Sequence, residues 1–208
     1  MDHMARLLLV RHATTPETGR SLTGRLPGHV LNEDGLAMAA ALGNRLSKVR
    51  LTAIYTSPME RTRQTAEAIA ARQTKKTALV DHPGLLEVDY GTWSGRTLRS
   101  LYRLAAWRLV ATAPSRVQFP GGESLVQAQA RAVDACEELA RRHGNANVAI
   151  VTHADIIKAV VSHYLGQPLD LFNRVAVSPA SVTVLDLGAD GPVRLVTLNS
   201  NGDPATWS

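Results

Sequence analysis

The sequence predicts an α/β fold: a three-layer α/β/α sandwich around a mainly parallel sheet, with a small helical insertion. Three observations lead there. Leu7-Leu8-Leu9-Val10 and Val148-Ala149-Ile150-Val151-Thr152 are short unbroken apolar runs, the pattern of strands buried on both faces of a parallel sheet. Helix-forming stretches with start and stop residues alternate with strand-like runs along the chain. No internal repeat, low-complexity stretch or linker interrupts the 208 residues, so they read as one domain over 1–208, the insertion covering about 93–120.

In chain order, the first strand ends at Arg11 and His12. Residues 14–29 carry Pro16, Gly19, Gly24, Pro27 and Gly28 and read as loop. Asn32 N-caps a helix to about Ser47, with Leu36, Ala39, Ala40, Leu42, Gly43 and Leu46 available for packing. A second strand spans 53–56. Ser57-Pro58-Met59-Glu60 then predicts a helix to about Ala71: Ser57 caps, Pro58 takes the first helical position and Glu60 completes a capping box. A third strand is expected at 77–80. Residues 91–122 hold Arg96, Arg99, Arg103, Arg108 and Arg116 and no acidic residue; Leu98, Leu101, Tyr102, Leu104 and Ala105 place a helix there. Pro120-Gly121-Gly122-Glu123-Ser124 opens a long helix ending near His143-Gly144. The strand at 148–152 runs into His153 and a helix to about Leu165. Residues 182–187 and 193–198 alternate, and Gly188-Ala189-Asp190-Gly191-Pro192 joins them as a hairpin.

Composition narrows the function. Lys and Arg number 23 against 18 Asp and Glu, and this +5 excess calls for an anionic partner. Aromatics at 4% argue against a base-stacking nucleic-acid surface. No apolar run approaches the roughly 20 residues of a membrane span. The start, Met1-Asp2-His3-Met4-Ala5-Arg6, lacks the pattern of a signal peptide and reads as a cloning remnant ahead of Met4. Cys136 is the single cysteine, which fits a reducing cytoplasm; it shares an apolar helical face with Ala128, Ala132, Val133 and Leu139 and reads as a core thiol.

Two buried strands end in histidine. In open α/β sheets ligands bind beyond the carboxyl ends of the strands, so His12 and His153 meet there if their strands are neighbours. The helix after the second strand carries Arg61 in its first turn, where free backbone N–H groups and the helix dipole attract anions. Arg11 adjoins His12, and guanidinium forks suit phosphate. These four residues describe a phosphate pocket. Asp155 beside His153 has no second ligand pair at metal spacing and reads as an acid favouring a helix start. His29, His82, His143 and His163 read as surface or packing residues. The arginines of 96–116 either form a solvated helical face or line the pocket mouth and steer an anion; the second reading is the expectation.

Leu9-Val10-Arg11-His12-Ala13-Thr14-Thr15 resembles the Arg-His-Gly motif of the histidine phosphatase (phosphoglycerate mutase-like) superfamily. Ser57-Pro58-Met59-Glu60-Arg61-Thr62-Arg63-Gln64-Thr65-Ala66 is similar to its second motif, and Leu86-Glu87-Val88-Asp89-Tyr90-Gly91-Thr92-Trp93-Ser94-Gly95 to its third. Residues 120–124 and Val151-Thr152-His153-Ala154 resemble the fourth and fifth. The five motifs occur in order over roughly residues 6–200, and the segment around Asp170-Leu171-Phe172-Asn173-Arg174 looks most like a bacterial subset labelled "probable phosphomutase".

The resemblance implies a metal-independent phosphomonoester hydrolase, without cofactor, acting through phosphohistidine on a small phosphorylated substrate. The alternative is a phosphoglycerate mutase-type phosphomutase, for whose branch the chain is short. His12 would be the nucleophile and Glu87 the proton donor; Arg11, Arg61 and His153 would stabilise phosphoryl charge. Thr18, Thr23, Gly24 and Ala154 complete the expected phosphate contacts. Ala13 and Ala154 stand where the family has glycine, Thr18 where asparagine is common and Thr23 where glutamine is. The implied partner is a small phosphate ester, not nucleic acid or membrane; the implied location is cytoplasmic, and a homodimer fits the family.

Overall fold

The computed structural model describes residues 4–188 and 193–207. The expected hairpin turn over 189–192 and the expected remnant at 1–3 lie outside the described residues. The side-to-side alternation of β1 (Met4–Arg11) sorts the core into two layers. Leu7 and Leu9 face one side of the sheet and Leu8 and Val10 the other, all buried. β2 (Leu51–Thr56) and β4 (Asn147–Thr152) follow the same rule: Ala53, Tyr55, Val148 and Ile150 join the first side, and Ile54, Ala149 and Val151 the second. Helices α5 (Leu125–His143) and α6 (Ala154–Tyr164) cover the first side; α1 (Glu33–Leu46) and α2 (Glu60–Ala70) cover the second.

With β3 (Ala78–Asp81), β5 (Val182–Gly188) and β6 (Arg194–Ser200), the sheet has the order β3-β2-β4-β1-β5-β6. The first four strands run parallel, and β5 and β6 add an antiparallel pair beyond β1. The expected α/β fold with a mainly parallel sheet is the one observed. Burial on both faces explains why the central strands read as unbroken apolar runs.

Asn32 caps α1 as expected, its side chain accepting from the Gly35 amide at 2.8 Å. Leu36, expected to pack, faces solvent instead at 52% exposure. α5 opens with a capping box between Ser124 and Gln127 and ends at Gly144 with φ of +48°.

Two expectations need correction. Ser57 does not cap α2. The helix starts at Glu60 with Met59 at the cap position and no side-chain cap bond. Ser57 is fully buried, 2.9 Å from His153 Nε2, so a buried imidazole has claimed the hydroxyl. Glu60 accepts from the Gly28 amide instead of closing a box. The insertion is not one helix. Thr97 caps a short α3 (Leu98–Leu101), and the chain breaks before α4 (Trp107–Thr112), which lets Trp107 lie against Trp93 with ring centroids 5.8 Å apart.

Candidate active site

The site forms where three strands end together. β1 and β4 pair in parallel up to Arg11 and Thr152, and the ladder continues through the His12 amide to Thr152 O at 3.0 Å. On the other edge of β4, the Ser57 amide donates to Val151 O at 2.9 Å. His12 and His153 therefore leave adjacent strands at one level, their ring centroids 5.3 Å apart and inclined at 65°. Arg61, in the first turn of α2, is 1% exposed and donates through Nη2 to Gly24 O at 2.8 Å and to His153 Nδ1 at 3.2 Å. Arg11 donates through Nη1 to Val177 O at 2.6 Å. Arg11 Nε, Arg61 Nε and Arg61 Nη1 are buried and meet no acceptor within the protein. Buried donors are normally satisfied, so three such nitrogens on two guanidiniums mark a place for an anion.

A cavity of about 470 Å³ opens above them. Arg11, His12, Glu87, Thr18, Thr23, Gly24 and Ala154 all line it, while Arg61 and His153 are buried beside these residues without lining it. Thr18 accepts from the Thr15 amide at 2.9 Å, so it also braces its own loop. The structure thus brings together every predicted site residue. It adds Glu17, Tyr90, Asp155 and Lys158 to the wall, for which the sequence carried no motif at spacing that would single them out, although Tyr90 lies within the third motif.

Burial acts oppositely on the two central groups. Burial, then the charges of Arg61 and Arg11, push the His12 imidazolium down to about 3, against a hydrogen bond to Ala13 O that favours the proton. His12 is therefore neutral. Its Nδ1–H donates to Ala13 O at 2.7 Å, which leaves the Nε2 lone pair free. His153 is held neutral as well, first by burial and then by Arg61. Arg61 can only donate, so His153 Nδ1 accepts and Nε2–H points to Ser57 Oγ. Burial and the nearby Asp155 charge raise the Glu87 carboxyl to about 7, with Arg61 pulling the other way. Glu87 Oε2 lies 3.7 Å from His153 Nδ1.

A second group of residues holds Glu87 in place. Its carbonyl accepts from Arg25 Nε at 2.8 Å and from Arg131 NH2 at 3.1 Å. Both arginines bind Glu123, at 2.8 and 2.7 Å, and Glu123 also accepts from the Asp89 amide at 2.9 Å. Burial alone would raise the Glu123 carboxyl, but Arg131, the Asp89 amide and Arg25 together hold it below its ordinary value. The fourth motif is thus a clamp on the third. The two loops touch so closely that a Cβ on Gly122 would lie 2.1 Å from Asp89 O, and one on Gly91, at φ +53°, 2.1 Å from Pro120 O.

None of the five insertion arginines lines the cavity, which corrects the expected mouth lining. Arg99 and Arg103 line an adjoining hollow with Arg20; it shares Gly19 and Leu98 with the cavity. Asp155 sits in the first turn of α6, yet its carboxylate is spent on Tyr90 OH and Lys158. Cys136 is buried in the core, where burial pushes its thiol up to about 12. His82 and His143 are packing residues, against Glu138 and Tyr55. Among the described residues no group of three or more His, Cys, Asp or Glu is placed to hold a metal ion, and no helix is long and apolar enough to cross a membrane.

Residues 7–201 match the family model of the histidine phosphatase superfamily (branch 1). The chain is 33% identical over 189 residues to phosphoserine phosphatase 1 of Hydrogenobacter thermophilus, covering 88% of this chain and 87% of that protein. It is 30% identical to a protein of Erwinia tasmaniensis named probable phosphoglycerate mutase GpmB, over 88% of this chain and 85% of that one. Among solved structures, Bacillus stearothermophilus YhfR superposes with a TM-score of 0.86 at 28% identity, covering 98% of this chain and all of that one.

Proposed function

The chain belongs to the histidine phosphatase superfamily, and on that premise we propose that it hydrolyses small phosphomonoesters through a phosphohistidine at His12. One observation carries the reading: a neutral histidine with a free Nε2 stands beside three buried guanidinium nitrogens that have no acceptor in the protein.

The reaction balances in two steps. In the first, the Nε2 lone pair of His12 attacks phosphorus and the bond from phosphorus to the ester oxygen breaks. Glu87, raised to about 7, gives its proton to that oxygen so that an alcohol leaves. Arg11 and Arg61 take the charge spread over the equatorial oxygens; His153 enters through Arg61, which it orients. In the second step the Glu87 carboxylate takes a proton from water as the water oxygen bonds to phosphorus. The P–N bond breaks, its electron pair returns to Nε2, and inorganic phosphate is released. Thr18, Thr23, Gly24 and Ala154 line the space the phosphate and its ester would fill. The site sits within one chain, and a cytoplasmic location suits its unpaired, buried Cys136.

Rapid quenching during turnover tests this. The expected product is an acid-labile, base-stable phosphoryl group on His12, lost with activity in His12→Ala. A His12→Ala protein that retains full phosphatase activity overturns it. Incubation with 3-phosphoglycerate and a bisphosphate primer should release phosphate rather than isomerised ester.

A further inference from the structure

We infer that Asn199, in a bulge of β6 outside the cavity, is a positioning residue that aims the Arg11 guanidinium at the phosphoryl group. The inference rests on the phosphate-binding part of the reading above and names a residue on which that part depends.

The Arg11 side chain reaches the site on one tether. Its Nη1 donates to Val177 O at 2.6 Å, which among the described residues is the bond it makes to the protein, and its buried Nε stays open. A guanidinium is planar and rigid, so the direction of the Val177 carbonyl sets the plane in which the open donors lie. Val177 lines the cavity on a stretch that belongs to no helix or strand, so regular structure does not fix that carbonyl.

The other end of the same peptide fixes it. The Ser178 N–H, which shares one rigid trans plane with Val177 O, donates to Asn199 Oδ1 at 2.6 Å. A backbone N–H can only donate, so the oxygen of the Asn199 amide faces it. The C=O and N–H of a trans peptide point in opposite directions, so Asn199 holding one end turns the other towards Arg11. A bond at one end also polarises the peptide and strengthens the bond at the other.

The strand is shaped to present Asn199. Val184 pairs with Thr197 and Val182 with Ser200, so β6 takes three steps where β5 takes two. Bulges of this kind re-aim a side chain and recur next to active sites. Asn199 stands in the bulge at φ +54°, a left-handed conformation that Asn tolerates better than most residues. Its own N–H donates to Oγ1 of the buried Thr183 at 3.1 Å. Glycine would suit that backbone at least as well, so the backbone does not account for the side chain. Neither Ser178 nor Asn199 lines the cavity, so Asn199 acts only through what it holds. The Arg11 backbone is fixed separately: the Ala180 N–H donates to Arg11 O at 3.1 Å, and the Arg11 N–H to Ser181 O at 3.2 Å. Asn199 therefore governs the side chain.

The test uses Asn199→Gly, which keeps the left-handed backbone and the bond to Thr183 but removes the acceptor, and Asn199→Asp, which keeps the acceptor. In Asn199→Gly the Kd for inorganic phosphate, measured by calorimetry, should rise about tenfold, and kcat/KM for p-nitrophenyl phosphate should fall about 10- to 100-fold. Asn199→Asp should restore both. In an Arg11→Met background, Asn199→Gly should have no further effect, because it acts through Arg11. Asn199→Ser, whose hydroxyl stops short of the Ser178 amide, repeats the measurement if glycine lowers the urea midpoint. Unchanged phosphate affinity in the glycine and serine variants, losses that aspartate does not restore, or full additivity with Arg11→Met would overturn the inference. A wild type that binds phosphate but hydrolyses no ester would sink the hydrolytic reading alone, and the phosphate affinities would still decide the role of Asn199.

Discussion

His12 and Glu87 show one physical effect with opposite signs. Burial disfavours charge, which keeps the histidine neutral and the glutamic acid protonated; these are the two forms phosphoryl transfer requires. The sign of the pH dependence follows. His12 stays neutral above about 3, whereas Glu87 loses its proton as pH rises through about 7. We predict that kcat/KM for an alkyl phosphate falls as pH rises past about 7, read from a pH–rate profile. Glu87→Gln should lose that limb and about 10²–10⁴ in rate on an alkyl phosphate. On p-nitrophenyl phosphate, whose leaving group needs no proton, the loss should be smaller. Asp155→Asn removes a charge that raises Glu87, so the limb should move to lower pH. Arg11, His12, Arg61 and His153 are legible in the sequence because each adjoins a strand end or a helix start, whereas Glu87, on a loop, is legible only through the resemblance of its motif. The roles of Ser57 and Asp155 are not legible. Ser57 sits where local rules assign a helix cap, and His153 overrides them; Asp155 keeps the helix-start place expected of it and adds a distant partner, Tyr90.

At the scale of elements, the loop bearing Glu87 is held by other loops and helices as well as by its own amides. Arg25, Arg131 and Glu123 come from separate parts of the chain and converge on its backbone. Arg131→Met should therefore lower kcat more than it raises KM, by up to about 10²-fold if Glu87 shifts by an ångström. Steady-state kinetics check this. The helix caps give a paired prediction. Ser124→Ala, at a capping box, should cost about 1 kcal/mol of stability in urea unfolding. Ser57→Ala should leave α2 intact, since Ser57 caps nothing, but lower activity by freeing the His153 ring. The strands and the starts of α1 and α5 were readable from periodicity and caps. The broken insertion was not, because no local signal marks Trp107, whose ring lies against the distant Trp93, as the start of a second helix.

The whole molecule carries a positive excess with a direction. Arg11 and Arg61 hold buried donors without a partner, and Arg20, Arg99 and Arg103 line a hollow beside the cavity. Arg99→Ala and Arg103→Ala should flatten the dependence of kcat/KM on ionic strength, and an unchanged slope would remove steering from the account. The unpaired guanidinium donors make a second prediction. Inorganic phosphate at 100 times its Kd should stabilise the fold by about 2.7 kcal/mol, seen as a raised Tm, and Arg61→Met should abolish most of that gain.

The sequence by itself determined the α/β class, the central strands, and the residues placed at strand ends, because periodicity and capping are local and parallel sheets put ligands at carboxyl ends. Only the tertiary structure decided what those residues touch. Ser57 meets His153 across 96 positions, and Arg25 meets Glu123 across 98. Such pairings depend on β4 inserting between β1 and β2, and no local pattern encodes which strand fills that gap. Burial, which sets the charge of His12 and Glu87, likewise exists only once the layers have closed over them.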